Sequence, residues 1–320
     1  MDKAAQALQV STGKRSLMSL AAPSLSTPMD FPSRLRAVAE SVEARLSQLL
    51  PEPSGHQGII MEAARYAALG GGKRLRPFLT VETARMLGGP IDAALTVGCA
   101  LECLHVYSLV HDDLPCMDDD ALRRGKPTVH IAYDEAMAVL AGDALLTRSF
   151  GIMGDVDLPA DIKVKLVTEL AASSGMSGMI GGQVVDITVA EGERDEALIT
   201  DLQAMKTGAL IDFAVRAGGL VSGAREDHLS ALSAYARDMG LAFQIQDDIL
   251  DVTGDVETVG KAVGKDANLG KATFVSILGL TGARDKAKML GQSAKNHLEP
   301  WGASAQTLRD TVDFVLDRQH

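Results

Sequence analysis

Residues 91–113 read IDAALTVGCALECLHVYSLVHDD, and this stretch decides the fold. Its apolar side chains recur at the helical period of 3.6 residues and cover nearly the whole circumference, a pattern typical of a helix buried on all sides. The same period dominates the rest of the chain, and convincing alternating strands are absent. We therefore predict an all-α fold with a single domain, built as a bundle of about ten or more helices around a central cavity.

Proline and glycine separate the helical patterns, for example at Pro51, Pro53 and Gly70–Gly72. Residues 1–30 are rich in Ser and Ala, and we interpret them as a disordered extension that precedes a domain over residues 31–320. The predicted helices cover residues 31–50, 57–69, 75–87, 91–113, 129–152, 160–178, 197–220, 226–251, 271–280, 283–296 and 303–317.

Composition and charge restrict the functional classes. The net charge of −11 argues against a nucleic-acid partner, because such proteins carry basic stripes. No run reaches the 18 or more apolar residues of a membrane span. Cys99, Cys103 and Cys116 form no CxxC pair, so we expect no disulfide framework and a cytoplasmic location. Cys99 and Cys103 share a helix face, and we interpret them as core residues rather than metal ligands.

Two acidic clusters each end a helical pattern. The first is HDDLPCMDDD at 111–120, and the second is QDDILD at 246–251. Carboxylates beside an apolar face cost free energy unless they are paired, and a divalent cation is the usual partner. Oxygen ligands of this kind suit Mg²⁺, which takes its remaining ligands from water and substrate phosphate. The alternative is a solvated acidic loop, but acidic groups at a helix C-terminus oppose the helix dipole.

The spacing within each cluster permits convergence on a cation. Asp247 and Asp251 lie one turn apart on one helix face. Pro115 disfavours helix at the preceding residue, so the chain should leave the helix after the first two aspartates and bring Asp118 back toward Asp112. The candidate metal-binding residues are Asp112, Asp113, Asp118, Asp247, Asp248 and Asp251.

Basic residues accompany the clusters. GGGKRLRP at 70–77 is a glycine turn followed by three cations, a combination that favours phosphate binding, although a solvated basic turn is the ordinary alternative. Arg123 and Arg124 follow the first cluster and form either an anion site or salt bridges with the aspartates. His105 lies two helical turns before Asp112, and either a core position or an anion-facing one is compatible with the pattern.

Three further features lie nearer the C-terminus. Lys206 and Thr207 interrupt an otherwise apolar helix, and Gln244 lies three residues before Asp247 on the same face. A Gly/Lys-rich segment from Lys261 to Lys271 is predicted to be a mobile lid over phosphates, the alternative being an ordinary flexible loop.

Taken together, these residues resemble the trans-isoprenyl diphosphate synthase family, of the bacterial farnesyl/geranylgeranyl diphosphate synthase type. The order and spacing of the motifs carry the resemblance, which extends from about residue 31 to the end. The motifs are GGKRLRP at 71–77, DDLPCMD at 112–118, RRGKPT at 123–128, GGQVVDI at 181–187, KTGAL at 206–210 and QDDILD at 246–251.

The resemblance implies an isoprenoid-synthase-like bundle that condenses isopentenyl diphosphate with dimethylallyl or geranyl diphosphate. It also implies a homodimer and three Mg²⁺ ions per active site, held by the six aspartates. Lys206, Thr207 and Gln244 would serve the reacting carbocation and leaving group. The implied allylic diphosphate ligands are Arg123, Lys206, Lys261 and Lys271, and the implied isopentenyl diphosphate ligands are Lys73, Arg76, His105 and Arg124.

Product length should depend on the residues beneath the first aspartates. Tyr107 lies five residues before Asp112, about 7.5 Å along the helix axis, and in this family that region forms the floor of the elongation cavity. A tyrosine there indicates a C15 product, (2E,6E)-farnesyl diphosphate, whereas the small Ser108 leaves C20 open. Two rival interpretations are a class I terpene cyclase and a non-catalytic synthase subunit. The paired basic turn and full second motif count against the former, and two intact aspartate motifs count against the latter.

Overall fold

The fold, taken from a computed structural model, is described for residues 29–189, 195–253 and 273–318. The predicted disordered extension at residues 1–30 lies almost wholly outside these ranges. The first helices are α1 (Phe31–Leu49), α2 (Gly58–Ala68), α3 (Leu75–Met86), α4 (Ile91–Asp112), α5 (Val129–Ala132), α6 (Glu135–Asp155), α7 (Ala160–Ser174) and α8 (Met179–Thr188). The later ones are α9 (Glu196–Gln203), a π-helix (Ala204–Gly208), α10 (Ala209–Val221), α11 (Glu226–Thr253), α12 (Phe274–His297), a 3₁₀-helix (Glu299–Ala305) and α13 (Gln306–Asp317).

Helix α4 lies at the centre of the bundle and packs against α1, α2, α3, α6 and α10. Its side chains are buried on every face, and Leu101 and Leu104 are fully enclosed. Burying each such leucine contributes about 1.5–3 kcal/mol. The prediction of an all-α fold around a buried helix is confirmed. The one sheet in the described residues is a hairpin that pairs Leu122–Arg123 with Lys126–Pro127, too short to show an alternating pattern.

Several predicted helix boundaries were wrong. The predicted helix over 129–152 is broken at Asp134, which caps α6 by accepting a hydrogen bond from Met137 N at 2.7 Å. The predicted helix over 160–178 ends at Ser174, and a separate helix, α8, follows, whose paired glycines weaken its sequence signal. Two predicted helices, 271–280 and 283–296, join as α12 with non-helical backbone only at Gly279.

Cys99 and Cys103 are buried, as predicted, whereas Cys116 is exposed. Burial raises the pKa of the Cys103 thiol to about 12, so the group stays protonated inside the core. Within the described ranges, α4 and α6 are long and apolar enough to cross a membrane by length and composition. The apolar window of α4 is 72% buried and that of α6 is 39% buried, so packing accounts for much of the composition of α4. The absence of a membrane span stays a prediction.

Candidate active site

A cavity of about 540 Å³ lies beside the C-terminal half of α4. Its walls come from α3, α4, α6, α8, the π-helix and the loop that follows α4. Apolar residues of α8, including Ile180, Val184 and Ile187, form one side. The predicted site residues that line it are Arg76, His105, Tyr107, Ser108, Asp112, Lys206 and Thr207. The structure therefore brings polar groups from three of the sequence motifs together at one apolar chamber.

The first aspartate motif folds back on itself. Helix α4 ends at Asp112, and Asp118 N donates a hydrogen bond to Asp112 O at 2.8 Å. Asp119, with φ of 50°, adopts the left-handed conformation, and its N–H bonds Leu114 O. This is the return expected from Pro115. Asp112 and Asp118 thus belong to one tight turn at the cavity mouth.

Asp113 is engaged by Arg123. Arg123 Nε donates to both Asp113 oxygens at 2.8 and 2.9 Å, and its Nη2 donates to Asp113 Oδ1 at 2.6 Å. The Asp113 side chain is only 4% exposed. In this structure Arg123 therefore forms a salt bridge with Asp113.

The basic turn depends on glycine at 71 and 72, whose φ values are 80° and 125°. A Cβ at Gly72 would lie 2.7 Å from Arg124 Cζ, so only glycine lets that guanidinium rest against the turn. Arg124 Nη1 donates to Gly71 O. Arg124 is thereby fixed beside the basic turn.

His105 is half-buried and forms part of the basic site. Burial, then the nearby Arg76 and Arg124, hold the pKa of its imidazole well below the usual 6.5. The ring is therefore neutral near neutral pH. Arg76 Nη1 lies 3.1 Å from His105 Nε2, and Arg76 has no acceptor capacity, so the histidine nitrogen accepts this bond.

The second aspartate motif lies on α11. Asp247 accepts hydrogen bonds from Gln244 Nε2, at 3.4 Å, and from Arg318 Nη2. Asp248 Oδ2 accepts from Phe274 N at 2.7 Å, which ties this motif to the start of α12. Asp251 also lies on α11, one turn beyond Asp247.

Lys73 links the basic turn to this motif. Burial and Arg318 lower the pKa of its ammonium group, while Asp247 raises it. The ammonium also lies 5.7 Å from the centre of the Phe314 ring on α13. The basic turn thus contacts Arg124, which follows the first aspartate motif, and its Lys73 interacts with Asp247 of the second aspartate motif.

The π-helix presents the last predicted cation. Lys206 Nζ donates to Asp186 Oδ2 at 2.6 Å, and Thr207 lines the cavity. Short π-helical turns are frequent at functional sites. Lys261 and Lys271 lie outside the described residues.

The sequence matches the polyprenyl synthetase family model over residues 57–308. The chain belongs to this family. It is 43% identical to farnesyl diphosphate synthase of Escherichia coli, over 91% of this chain and 99% of that protein. It is 41% identical to geranylgeranyl diphosphate synthase of Cyanophora paradoxa, over 88% of this chain and 94% of that protein.

Solved structures agree with this assignment. An FPP/GFPP synthase from Zymomonas mobilis, solved in its apo form, aligns with a TM-score of 0.80 and 43% identity, covering 89% of this chain and 98% of that one. The predicted family membership is confirmed, and the chain is a short-chain trans-prenyltransferase.

Polyprenyl synthetases are generally metal dependent, and the first motif fits a divalent cation. Burial, above all, raises the pKa of Asp112 to about 6; Lys206 opposes this shift and Asp118 adds to it. A cation near Asp112 would stabilise its charged form. Within the described ranges no three His, Cys, Asp or Glu side chains form a ready-made metal group. Mg²⁺ commonly uses one or two carboxylates plus water and phosphate oxygens, so this donor set suffices.

Two polar residues of this polyprenyl synthetase were missed as site residues. Gln183 Nε2 donates to Asp112 Oδ1 at 3.0 Å, while Gln183 Oε1 is buried without a hydrogen-bond partner. Asp186 holds Lys206, as described above. Both lie in GGQVVDI, at i and i+3 on one helix face, and that shared face was the available signal.

Proposed function

We propose that this prenyltransferase condenses isopentenyl diphosphate with dimethylallyl or geranyl diphosphate, giving (2E,6E)-farnesyl diphosphate and pyrophosphate. The cavity carries the proposal, because Asp112, Lys206 and the Arg76–His105 pair meet at an apolar chamber. The basic side chains can bind two diphosphate groups, and the carboxylate can bind a cation that accompanies one of them. The apolar walls suit prenyl chains.

Each cation has a place in this scheme. Lys206, oriented by Asp186, would hold the allylic diphosphate together with Arg123. Arg76, Arg124 and Lys73 would hold isopentenyl diphosphate, with neutral His105 fixing the Arg76 guanidinium. Thr207 and Gln244 would direct oxygen dipoles at the cationic carbon, and a water-poor chamber strengthens such dipoles.

We infer that three Mg²⁺ ions bind per site, held by Asp112, Asp118, Asp247 and their neighbours. When bound, Mg²⁺ acts as a Lewis acid on the departing diphosphate oxygens. Asp112 supports a divalent cation at this site, because its raised pKa marks a half-buried carboxyl group whose charged form a nearby cation would stabilise.

The activity test uses the full-length chain with isopentenyl diphosphate, each allylic primer and Mg²⁺, followed by chromatography of the products. We expect a C15 diphosphate, and Asp112→Asn should lower kcat by at least about a hundredfold. No turnover by the intact protein would refute the enzyme assignment. Cyclised hydrocarbon from farnesyl diphosphate alone would instead identify a terpene cyclase.

Product length is proposed to depend on Tyr107. Its ring lines the cavity, is 5% exposed and packs edge-on against His111. We expect Tyr107→Ala to shift products to C20 or longer, because the smaller side chain deepens the cavity that holds the growing prenyl chain. Tyr107→Phe keeps the ring and should retain C15, which makes it the matched control. Unchanged product length in Tyr107→Ala would show that another residue limits elongation, as would C20 from the unmodified chain.

We further propose a homodimer in the cytoplasm. Helix α6 exposes Val139 and Leu140, at 42% and 49%, and an apolar helix face of this kind favours association with a second copy. Light scattering after gel filtration tests the dimer, and a monomer at micromolar concentration would refute it.

A further inference from the structure

Arg74 lies between two proposed substrate-binding cations, Lys73 and Arg76, yet its own side chain is fully buried. It caps the start of α3 in the left-handed conformation, with φ of 49° and ψ of 38°. This backbone conformation is uncommon for residues other than glycine. Arg74 is buried, whereas Lys73 is exposed and Arg76 is half-buried. The three adjacent cations are therefore not equivalent.

The Arg74 guanidinium joins three helices to the turn. Its Nη1 donates to Glu102 Oε1 on α4 at 2.5 Å, and its Nε donates to Glu43 Oε1 on α1 at 3.0 Å. Nη2 donates to Ala68 O, the end of α2, at 2.6 Å and also to Glu43. Burial by itself lowers the pKa of Arg74, but the two carboxylates offset this and the pKa is raised.

Glu102 is the buried negative charge of the basic site. It is 2% exposed and lies one helical turn before His105 on α4. Burial lowers the pKa of both Arg76 and Arg124, and Glu102 opposes that shift in each. Glu102 therefore interacts electrostatically with both proposed diphosphate ligands, although its direct ion pair is with Arg74.

Among the ion pairs of the described residues, none involves Arg76 or Arg124. A buried carboxylate deprived of its partner is costly and takes the nearest cation. Without Arg74, Glu102 would turn to Arg76 or Arg124, and a paired guanidinium binds an anion less well.

We propose that Arg74 is a positioning residue that binds Glu102 and Glu43 so that Arg76 and Arg124 stay available for a diphosphate. This inference deepens the proposed function and rests on it for the identity of the anion. Arg74 touches no substrate; it acts by withholding a competing carboxylate and by anchoring the turn.

The test measures binding of inorganic pyrophosphate by calorimetry in metal-free buffer, together with the midpoint of thermal unfolding. We expect Arg74→Gln to weaken binding by about tenfold or more and the double variant Arg74→Gln/Glu102→Gln to restore it to within about threefold. In steady-state assays the same pair should raise and then restore KM for isopentenyl diphosphate, with a smaller change for the allylic substrate. If Arg74 contributed only to the stability of the fold, removing Glu102 as well would not restore pyrophosphate binding.

Arg85→Gln is the matched control, because Arg85 lies on the same helix and pairs with buried Glu82 away from the turn. Its pyrophosphate affinity should equal that of the unmodified protein. If Arg74→Gln does not fold, pyrophosphate binding by Glu102→Gln is the test, because Arg74 still has its hydrogen bond to Glu43 in that variant. Equal or tighter binding supports the proposal, and clearly weaker binding overturns it.

Failure to restore binding in a folded double variant also overturns the inference. The proposed function fails separately: an unmodified chain that binds pyrophosphate but forms no prenyl product refutes the prenyltransferase reaction and leaves the Arg74 result interpretable.

Discussion

At the scale of single residues, His105 combines two properties that its sequence position left as alternatives. It is half-buried in the packing of α4, and it also accepts a hydrogen bond from Arg76 at the cavity. The sequence predicted its helix face, because spacing from Asp112 is a local property. It did not predict the hydrogen bond with Arg76, which lies on another helix.

This burial makes stability depend on pH. The imidazole pKa is well below 6.5 in the folded protein, so below pH 6.5 the unfolded chain binds more protons than the folded one. The free energy of unfolding therefore decreases as the pH is lowered. The slope contributed by His105 approaches about 1.4 kcal/mol per pH unit. Asp112 acts in the opposite direction, since its raised pKa of about 6 makes the folded state bind protons.

The difference between the unmodified protein and His105→Gln isolates this effect. Urea unfolding at pH 7, 6 and 5 should show that His105→Gln loses less stability on acidification. His56→Gln, at an exposed position, should follow the unmodified protein. Parallel pH profiles for His105→Gln and the unmodified chain would show that His105 is not held neutral.

At the scale of elements, the π-helix is the feature that periodicity did not predict. Residues 197–220 fit one continuous helix in the sequence, whereas the structure has α9, the π-helix and α10 in succession. Five residues are too few to establish a separate period in the pattern of apolar side chains. The individual residues Lys206 and Thr207 were nevertheless identified, because polar side chains stand out within an apolar run.

Gly182 on α8 permits close packing against the π-helix. A Cβ there would lie 2.4 Å from Lys206 N. Lys206 N is a backbone atom, so it cannot move aside as the end of a flexible side chain can. Gly182→Ala should displace the π-helix and weaken the Lys206–Asp186 pair. We expect kcat/KM for the allylic substrate to fall by about tenfold or more, with a lower unfolding midpoint.

Gly154→Ala is the control for this substitution, because the space around Gly154 on α6 is open. Alanine should leave activity unchanged there and stabilise the helix by up to about 1 kcal/mol. Full activity in Gly182→Ala would mean that Lys206 does not depend on this packing.

At the scale of the whole molecule, the contacts that the sequence could not predict are the long-range ones. Arg318 and Asp247 are far apart along the chain, and helical period carries no information on which helix ends meet. The same holds for Arg74 with Glu43. By contrast, α4 and the return at Pro115 follow from local composition and were predicted. Motif order indicated candidate site residues, while packing determined their partners.

Arg318 connects the end of α13 to the second aspartate motif. Its guanidinium stacks 4.0 Å from the Phe243 ring centre, donates to Phe243 O at 2.8 Å and pairs with Asp247. Because Asp247 is 47% exposed, the pair is partly screened and contributes about 1 kcal/mol or less to stability. Its larger effect is that the Arg318 guanidinium pairs with an oxygen that we propose as a metal ligand.

Arg318→Gln should therefore tighten binding of a divalent cation to the substrate-free protein by about two- to fivefold, since the metal no longer displaces an arginine. Mn²⁺ titration followed by electron paramagnetic resonance measures this without turnover. Arg309→Gln is the control, because Arg309 also lies on α13 but bonds only the carbonyls of Gly302 and Leu298 among the described contacts. Identical Mn²⁺ affinity in Arg318→Gln and the unmodified chain would show that arginine and metal do not compete for Asp247.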